Sequence, residues 1–265
     1  MVDTWDPDRY HLFAEQRARP FQDLVALVRP CPDGSLLDLG CGSGELTAQA
    51  MASLGVSTAL GLDASPSMLE RAGGLDTPGL DFVAGDLGDP AAVPAVGSRR
   101  WDVIVANASL QWVPDHVEVL RRWRGLLAPG GQLAVQVPAN PEHPSHVAIT
   151  EVLHSEPFFS LLGGAPPPDP LLSVLAPERY AEALWAMGAT DQRVLAEVYG
   201  MEMADSDAVA DWTSGTALNR VRAVLDDERF AEFTERYREL LARELGGAAP
   251  YFYAFKRILM WARFP

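Results

Sequence analysis

The stretch Leu36-Leu37-Asp38-Leu39-Gly40-Cys41-Gly42-Ser43-Gly44-Glu45 decides the fold of this 265-residue chain. A short apolar run ends in an acid, passes through three glycines spaced two apart, and enters Glu45–Leu54, which has helical character. Glycines let the backbone adopt positive φ and come close to a ligand, and the N–H groups that open the following helix favour electronegative atoms. The stretch therefore reads as strand, ligand-binding turn and helix. A nicotinamide-binding turn calls for a further glycine or alanine at position 45, where this chain has Glu45. That mismatch, together with Asp38, turns the reading away from a dinucleotide.

Outward from the turn, short apolar runs alternate with amphipathic ones. Strands are expected at 36–39, 57–62, 80–83 and 103–106, with helices at 45–54 and 65–71. Val117, Leu120, Trp123, Leu126 and Leu127 recur at helical spacing, Pro129-Gly130-Gly131 is expected to stop that helix, and 133–137 form a fifth strand. A Pro- and Gly-rich loop at 157–170 interrupts the pattern. After it come a helix near 177–187, a strand near 193–199, helical segments over 206–245 and a terminal strand at 252–262. This is the rhythm of an α/β protein with a Rossmann-like, doubly wound sheet. The expected organisation is one domain over 1–265, with an N-terminal helical lid at 1–30, a loop insertion at 155–175 and a helical cap at 205–248.

Composition narrows the function. Hydrophobic residues make up 48% of the chain, enough for a packed interior, and no apolar run approaches the roughly 20 residues of a membrane span. The start of the chain lacks the basic and apolar stretches of a secretory signal, and the only cysteines are Cys31 and Cys41, so a cytoplasmic, disulfide-free protein is expected. A formal net charge of −15 disfavours nucleic acid and anionic membrane surfaces through long-range repulsion. A small-molecule partner is expected, with the chain a monomer or homodimer. Five histidines and two cysteines form neither a zinc cluster nor a Ser-His-Asp constellation, so no metal is expected.

Asp63 ends the second strand 25 residues after Asp38, where a carboxylate can accept hydrogen bonds from the two hydroxyls of a ribose. An acid there can also simply cap the next helix. Gly85-Asp86-Leu87 ends the third strand, where Asp86 is placed to accept from an adenine amine or to make a turn. Asn107 follows the fourth. Cys41 reads as a small residue fitting between glycines.

These motifs, with Leu127-Ala128-Pro129-Gly130-Gly131, resemble the seven-stranded class I methyltransferases over about residues 35 to 140. A narrower similarity runs along the whole chain, through Trp5-Asp6-Pro7-Asp8-Arg9-Tyr10, Arg17-Ala18-Arg19-Pro20, the run from Ala106 to His116, Val135-Gln136-Val137-Pro138 and Pro144-Ser145-His146. It resembles the trans-aconitate methyltransferase family. The resemblance implies a mostly parallel seven-stranded sheet with an antiparallel last strand, S-adenosylmethionine as cofactor, and esterification of one carboxylate of a small polycarboxylic acid.

It also implies the site. The cofactor contacts would be Asp38, Gly40, Cys41, Gly42 and Gly44; Asp63, Ala64 and Met68; Gly85, Asp86 and Leu87; Asn107; and Trp5 and Tyr10 from an N-terminal lid. A carboxylate is already a nucleophile, so no general base is needed and positioning supplies most of the rate. Candidates for the acceptor pocket are Gln111, Trp112, His146 and Arg257, with Lys256 facing solvent by strand alternation and Arg17, Arg19, Arg220 and Arg222 as further cations. Another small-molecule acceptor, such as a hydroxyl, would need a base that only a histidine such as His146 or His116 offers. A noncatalytic adenosyl-binding protein is the alternative from another class.

Overall fold

Residues 14–265 are described by a computed structural model. They begin with helix α1 (Ala14–Leu27), strand β1 (Ser35–Leu39), α2 (Glu45–Leu54), β2 (Thr58–Asp63), α3 (Pro66–Ala72), β3 (Leu80–Ala84), β4 (Trp101–Asn107), α4 (His116–Arg124) and β5 (Leu127–Pro138). Next come α5 (Pro144–Leu153), α6 (Pro177–Ala186), β6 (Asp191–Met203), α7 (Ser206–Ser214), α8 (Asp227–Glu244) and β7 (Tyr251–Arg263), with single helical turns between some of them. The strands form one seven-stranded sheet in the order β3-β2-β1-β4-β5-β7-β6. From β3 to β5 neighbouring strands are parallel, and β7 runs antiparallel to β5. The sheet expected from the sequence is thus present.

The chain divides into two compact units, the larger comprising Glu15–Ala139, Ser173–Glu197 and Lys256–Pro265. Alternation along its strands builds both faces of the sheet. Leu37 and Leu39, Ile104 and Ala106, and Val135 and Val137 pack on one side with Val119, Leu120 and Trp123 of α4 and Tyr180 and Leu184 of α6. Leu36, Val103, Val105 and Ala134 pack on the other with Phe21, Leu24 and Val25 of α1 and Ala50 and Leu54 of α2. Strands buried on both faces read as continuous apolar runs, as these do.

The order places β1 between β2 and β4, so the chain winds outward through β2 and β3 and then back to β4. Such a reversal opens a crevice beyond the carboxyl ends of the two central strands, which is where open α/β sheets bind ligands. The glycine turn leaves β1 at this point.

Boundaries differ from the expectation at β6, which runs beyond 193–199, in the 157–170 loop, which holds a helical turn at Phe158–Leu161, and most at β5. α4 stops at Arg124, and Pro129-Gly130-Gly131 lie inside β5 and do not end a helix. Trp101 pairs with Leu127 whereas Val103 pairs with Gln132, so β5 carries extra residues that its partner does not match, with Gly130 at φ 80°. A bulge of this kind tolerates the proline and glycines that read as a stop.

The other unit comprises, among the described residues, Asn140–Leu172 and Val198–Phe255. Its core joins Ile149 and Leu153 of α5, Val209 and Trp212 of α7, Phe233, Tyr237 and Leu241 of α8, and Tyr253 and Phe255. Asp226 caps α8 by accepting from the Arg229 N–H at 2.8 Å, and the buried Tyr237 hydroxyl pairs with that of Thr213 at 2.6 Å. No helix among the described residues is long and apolar enough to cross a membrane.

Candidate functional site

The turn after β1 is built by close approaches that only glycine permits. Gly40, Gly42 and Gly44 have φ of 88°, 56° and 82°. A Cβ on Gly40 would fall 2.3 Å from that of Ser109, whose hydroxyl donates to the Leu39 carbonyl at 2.6 Å, so the ends of β1 and β4 are locked together there. A Cβ on Gly42 would meet nothing within 4 Å. Gly40 is thus glycine for the protein's own packing, whereas Gly42 faces open space.

Asp63 holds the middle of this turn. Its two carboxylate oxygens accept from the Gly42 N–H at 2.8 Å and from the Ser65 N–H at 2.9 Å. The acid therefore joins the turn to the start of α3, where the Ser65 hydroxyl accepts from Met68 N–H at 3.3 Å. Each Asp63 oxygen keeps a second lone pair. Ala64 lies between these residues, and Met68 is buried.

Asp38 is 2% exposed, and its Oδ2 accepts from the Thr47 hydroxyl of α2 at 2.6 Å. Its Oδ1 is buried with no partner. Burial pushes the carboxyl up to about 7; the Thr47 hydrogen bond opposes this and the nearby Asp63 charge adds to it. Asn107, at the end of β4, also has a buried Oδ1 without a partner. Two unpaired acceptors and the open face at Gly42 fit a ligand that brings hydrogen-bond donors or positive charge. Cys41 packs beside Gly61, where a Cβ would come 2.7 Å from its sulfur, and burial raises its thiol above the ordinary range. It is a packing residue.

The third strand's loop is held from α4. Trp123 Nε1 donates to the Leu87 carbonyl at 2.9 Å and Arg122 to that of Gly88 at 2.9 Å, while Asp86 is exposed and accepts from Gly88 N–H at 2.8 Å. Gly85 leads into this turn. Trp5 and Tyr10 lie outside the described residues, as does the side chain of Arg17.

Among the acceptor candidates, Gln111 is buried in a single turn after β4, with Nε2 donating to the Ala108 carbonyl at 2.6 Å and Oε1 unpartnered. Trp112 beside it is exposed. Arg257 is half-buried opposite Pro138 of β5, and Lys256 is exposed, in keeping with the expected alternation. These residues belong to the larger unit, His146 to the other.

The histidines part company. His116 is 3% exposed, with Nδ1 paired to the Tyr180 hydroxyl at 2.6 Å and Nε2 3.4 Å from Ser173 Oγ. Burial lowers its pKa, which suits a neutral core ring and leaves no nitrogen for an acceptor. His143, not singled out from the sequence, caps α5: its Nδ1 accepts from Ser145 N–H at 3.1 Å, Nε2 pairs with the Tyr251 hydroxyl, and burial lowers it to about 4. His146 lies a turn further on with Nδ1 buried and without a hydrogen bond. Among the described residues no cluster of metal-ligating side chains occurs.

A family model described as a methyltransferase domain matches residues 13–193. The trans-aconitate 2-methyltransferase of Deinococcus radiodurans is 41% identical over 99% of both chains, and that of Streptomyces avermitilis is 37% identical over 94% of both. The chain belongs to the trans-aconitate 2-methyltransferase family. As a member of this methyltransferase family it uses S-adenosylmethionine as cofactor, which the unpaired acceptors at the glycine turn suit. Solved structures agree on the fold. The YcgJ protein of Bacillus subtilis superposes with a TM-score of 0.57 at 14% identity, covering 93% of this chain and 98% of the other. Phosphoethanolamine N-methyltransferase 2 of Haemonchus contortus, solved with phosphomonomethylethanolamine and S-adenosylhomocysteine, gives 0.52 at 16%, covering 93% of this chain and 52% of its own.

Proposed function

We propose that this enzyme esterifies one carboxylate of a small polycarboxylic acid such as trans-aconitate. The observation that carries the reading is similarity over nearly the whole chain to proteins named for that reaction. When bound, S-adenosylmethionine supplies an activated methyl group on a sulfonium centre. The chain's own work is then to bind and orient. Asp63 and the Gly42 face receive the adenosyl group, Met68, Ala64 and the Asp86 turn border it, and Asp38 and Asn107 supply acceptors for its donors. Gln111 and Trp112 line the approach of the acceptor, and Arg257 offers positive charge to a carboxylate.

Of the two histidines that could serve a hydroxyl acceptor as base, His116 is sealed in the core, which leaves His146 alone. The charge of −15 supports a small acceptor over nucleic acid or membrane. Incubation with methyl-labelled cofactor and a panel of acids, followed by mild base, tests the reading. Labelled methanol released from the trans-aconitate product is expected. Label that resists base, or that appears only with alcohols, overturns it.

A further inference from the structure

We propose that Gln136 and Asn107, together with Asp38, bind the α-ammonium of the cofactor's amino-acid end, an inference that rests on the placement of the adenosyl group at the glycine turn proposed above. Strand register brings the three side chains together. Asn107 of β4 pairs with Gln136 of β5, and Asp38 of β1 pairs with Val105, two residues before Asn107. Directly paired residues of neighbouring parallel strands lie about 4.8 Å apart and point to one face, and two residues along a strand add about 7 Å. Val105 and Ala134 pack in the apolar layer with α1 and α2. By alternation Asp38, Asn107 and Gln136 lie on that same face, at its margin where β1 enters the glycine turn.

Each of the three carries a buried oxygen without a partner: Asp38 Oδ1, Asn107 Oδ1 and Gln136 Oε1. Gln136 as a whole is 2% exposed. Gln132, on the same face of the same strand, shows what a purely structural glutamine does here. Its Oε1 accepts from the Arg29 N–H and from Trp261 Nε1, both at 2.9 Å, and its Nε2 donates to the Arg29 carbonyl at 3.0 Å. Buried polar groups are ordinarily paired, so neighbouring acceptors left open mark the place of a donor. A polycarboxylate anion brings none. Of the cofactor's donors, the ribose hydroxyls and the adenine amine face Asp63 and the Asp86 turn in the proposed site. That leaves the α-ammonium, with three N–H groups for the three oxygens and a charge that Asp38 balances.

The test measures by calorimetry the affinity of the full chain for S-adenosylhomocysteine, for the same molecule without its α-amino group, and for methylthioadenosine, which lacks the amino-acid end. Gln136→Met and Asn107→Leu should each weaken S-adenosylhomocysteine about tenfold or more while leaving the other two ligands within about twofold of wild type. Retained methylthioadenosine binding also shows that the variant is folded. Gln136→Glu keeps an acceptor oxygen and removes the amide donors, so it should hold S-adenosylhomocysteine within about threefold of wild type. A loss there as large as in Gln136→Met would mean that the amide donates to the ligand's carboxylate, and the assignment is overturned. Equal effects on all three ligands, or none, overturn it too, the amides then serving packing or a buried water, while the adenosyl placement stands. If Gly42→Val leaves methylthioadenosine affinity unchanged, the placement fails, and selective loss of the amino-bearing ligand in Gln136→Met still upholds the ammonium site.

Discussion

The Gly42 N–H and the Asp63 carboxylate meet at 2.8 Å, so the acid that ends β2 and the middle of the glycine turn form one structure. Asp63 therefore shapes the turn, and in the proposed site its remaining lone pairs would accept from the ligand. Asp63→Ala should weaken S-adenosylhomocysteine binding by about 1.5–3 kcal/mol, as expected for a charge-assisted contact, and should also lower the melting temperature. Asparagine cannot accept from both Gly42 and Ser65, so Asp63→Asn should fall between. Calorimetry and a thermal scan check this, and unchanged affinity in Asp63→Ala would remove the residue from the site.

Two glycines of the turn should respond differently. Gly42→Val places its side chain in open space, so the fold should bear only the strain of positive φ, about 1–2 kcal/mol, while cofactor binding is lost. Gly40→Val drives into Ser109 and should lower the melting temperature well beyond that. Normal cofactor affinity in a folded Gly42→Val protein would show that no ligand lies on that face.

Asp38 predicts a pH dependence with a definite sign. Its folded-state value is raised from 3.8 to about 7, so the fold favours the neutral acid, and its contribution to stability is full below about pH 4 and is lost as pH rises through 7. Thr47 donates to it, Asp63 adds negative charge nearby, and the Cys41 thiol stays protonated. Asp38→Asn should gain stability relative to wild type over this interval. In the proposed site the positive charge of the cofactor would favour the carboxylate, so binding should release a proton near pH 7 in wild type and less in Asp38→Asn. Calorimetry in buffers of different ionisation heat measures that difference, and equal proton release would refute it.

His143 should make the protein acid-sensitive. Its folded-state value is lowered from 6.5 to about 4, so the fold favours the neutral ring, and stability is lost as pH falls below about 6.5 towards 4. Asparagine offers a side-chain oxygen in place of the capping Nδ1, without the titration. His143→Asn should therefore lose less stability than wild type over that range in denaturant titrations. Parallel pH profiles would show that the ring is already accommodated in its charged form.

Local chemistry was legible in the sequence. The glycine turn, the acids ending β1 and β2 and the two-faced apolar strands each follow from residues within a few positions of one another. What escaped depended on distant partners. Arg220 stands among the candidate cations, but its burial against Pro167 and Thr150, 53 and 70 residues away, has no mark in the local sequence. His116 stands among the candidate bases, but its pairing in the core is with Tyr180, 64 residues on. At β5 the proline and glycines were read by their local preference, and tertiary pairing with β4 overrode it.

The smaller unit is discontinuous along the chain. The chain enters it at Asn140, leaves after Leu172, returns at Val198 and departs after Phe255, with β6 and β7 each continuing from one unit into the other. It cannot be lifted out with a single pair of cuts. A hybrid enzyme that borrows this unit from a relative must splice two separate segments and match the strand register at both β6 and β7. Inherited change in this unit would accordingly come more readily from replacing side chains in place than from shuffling modules.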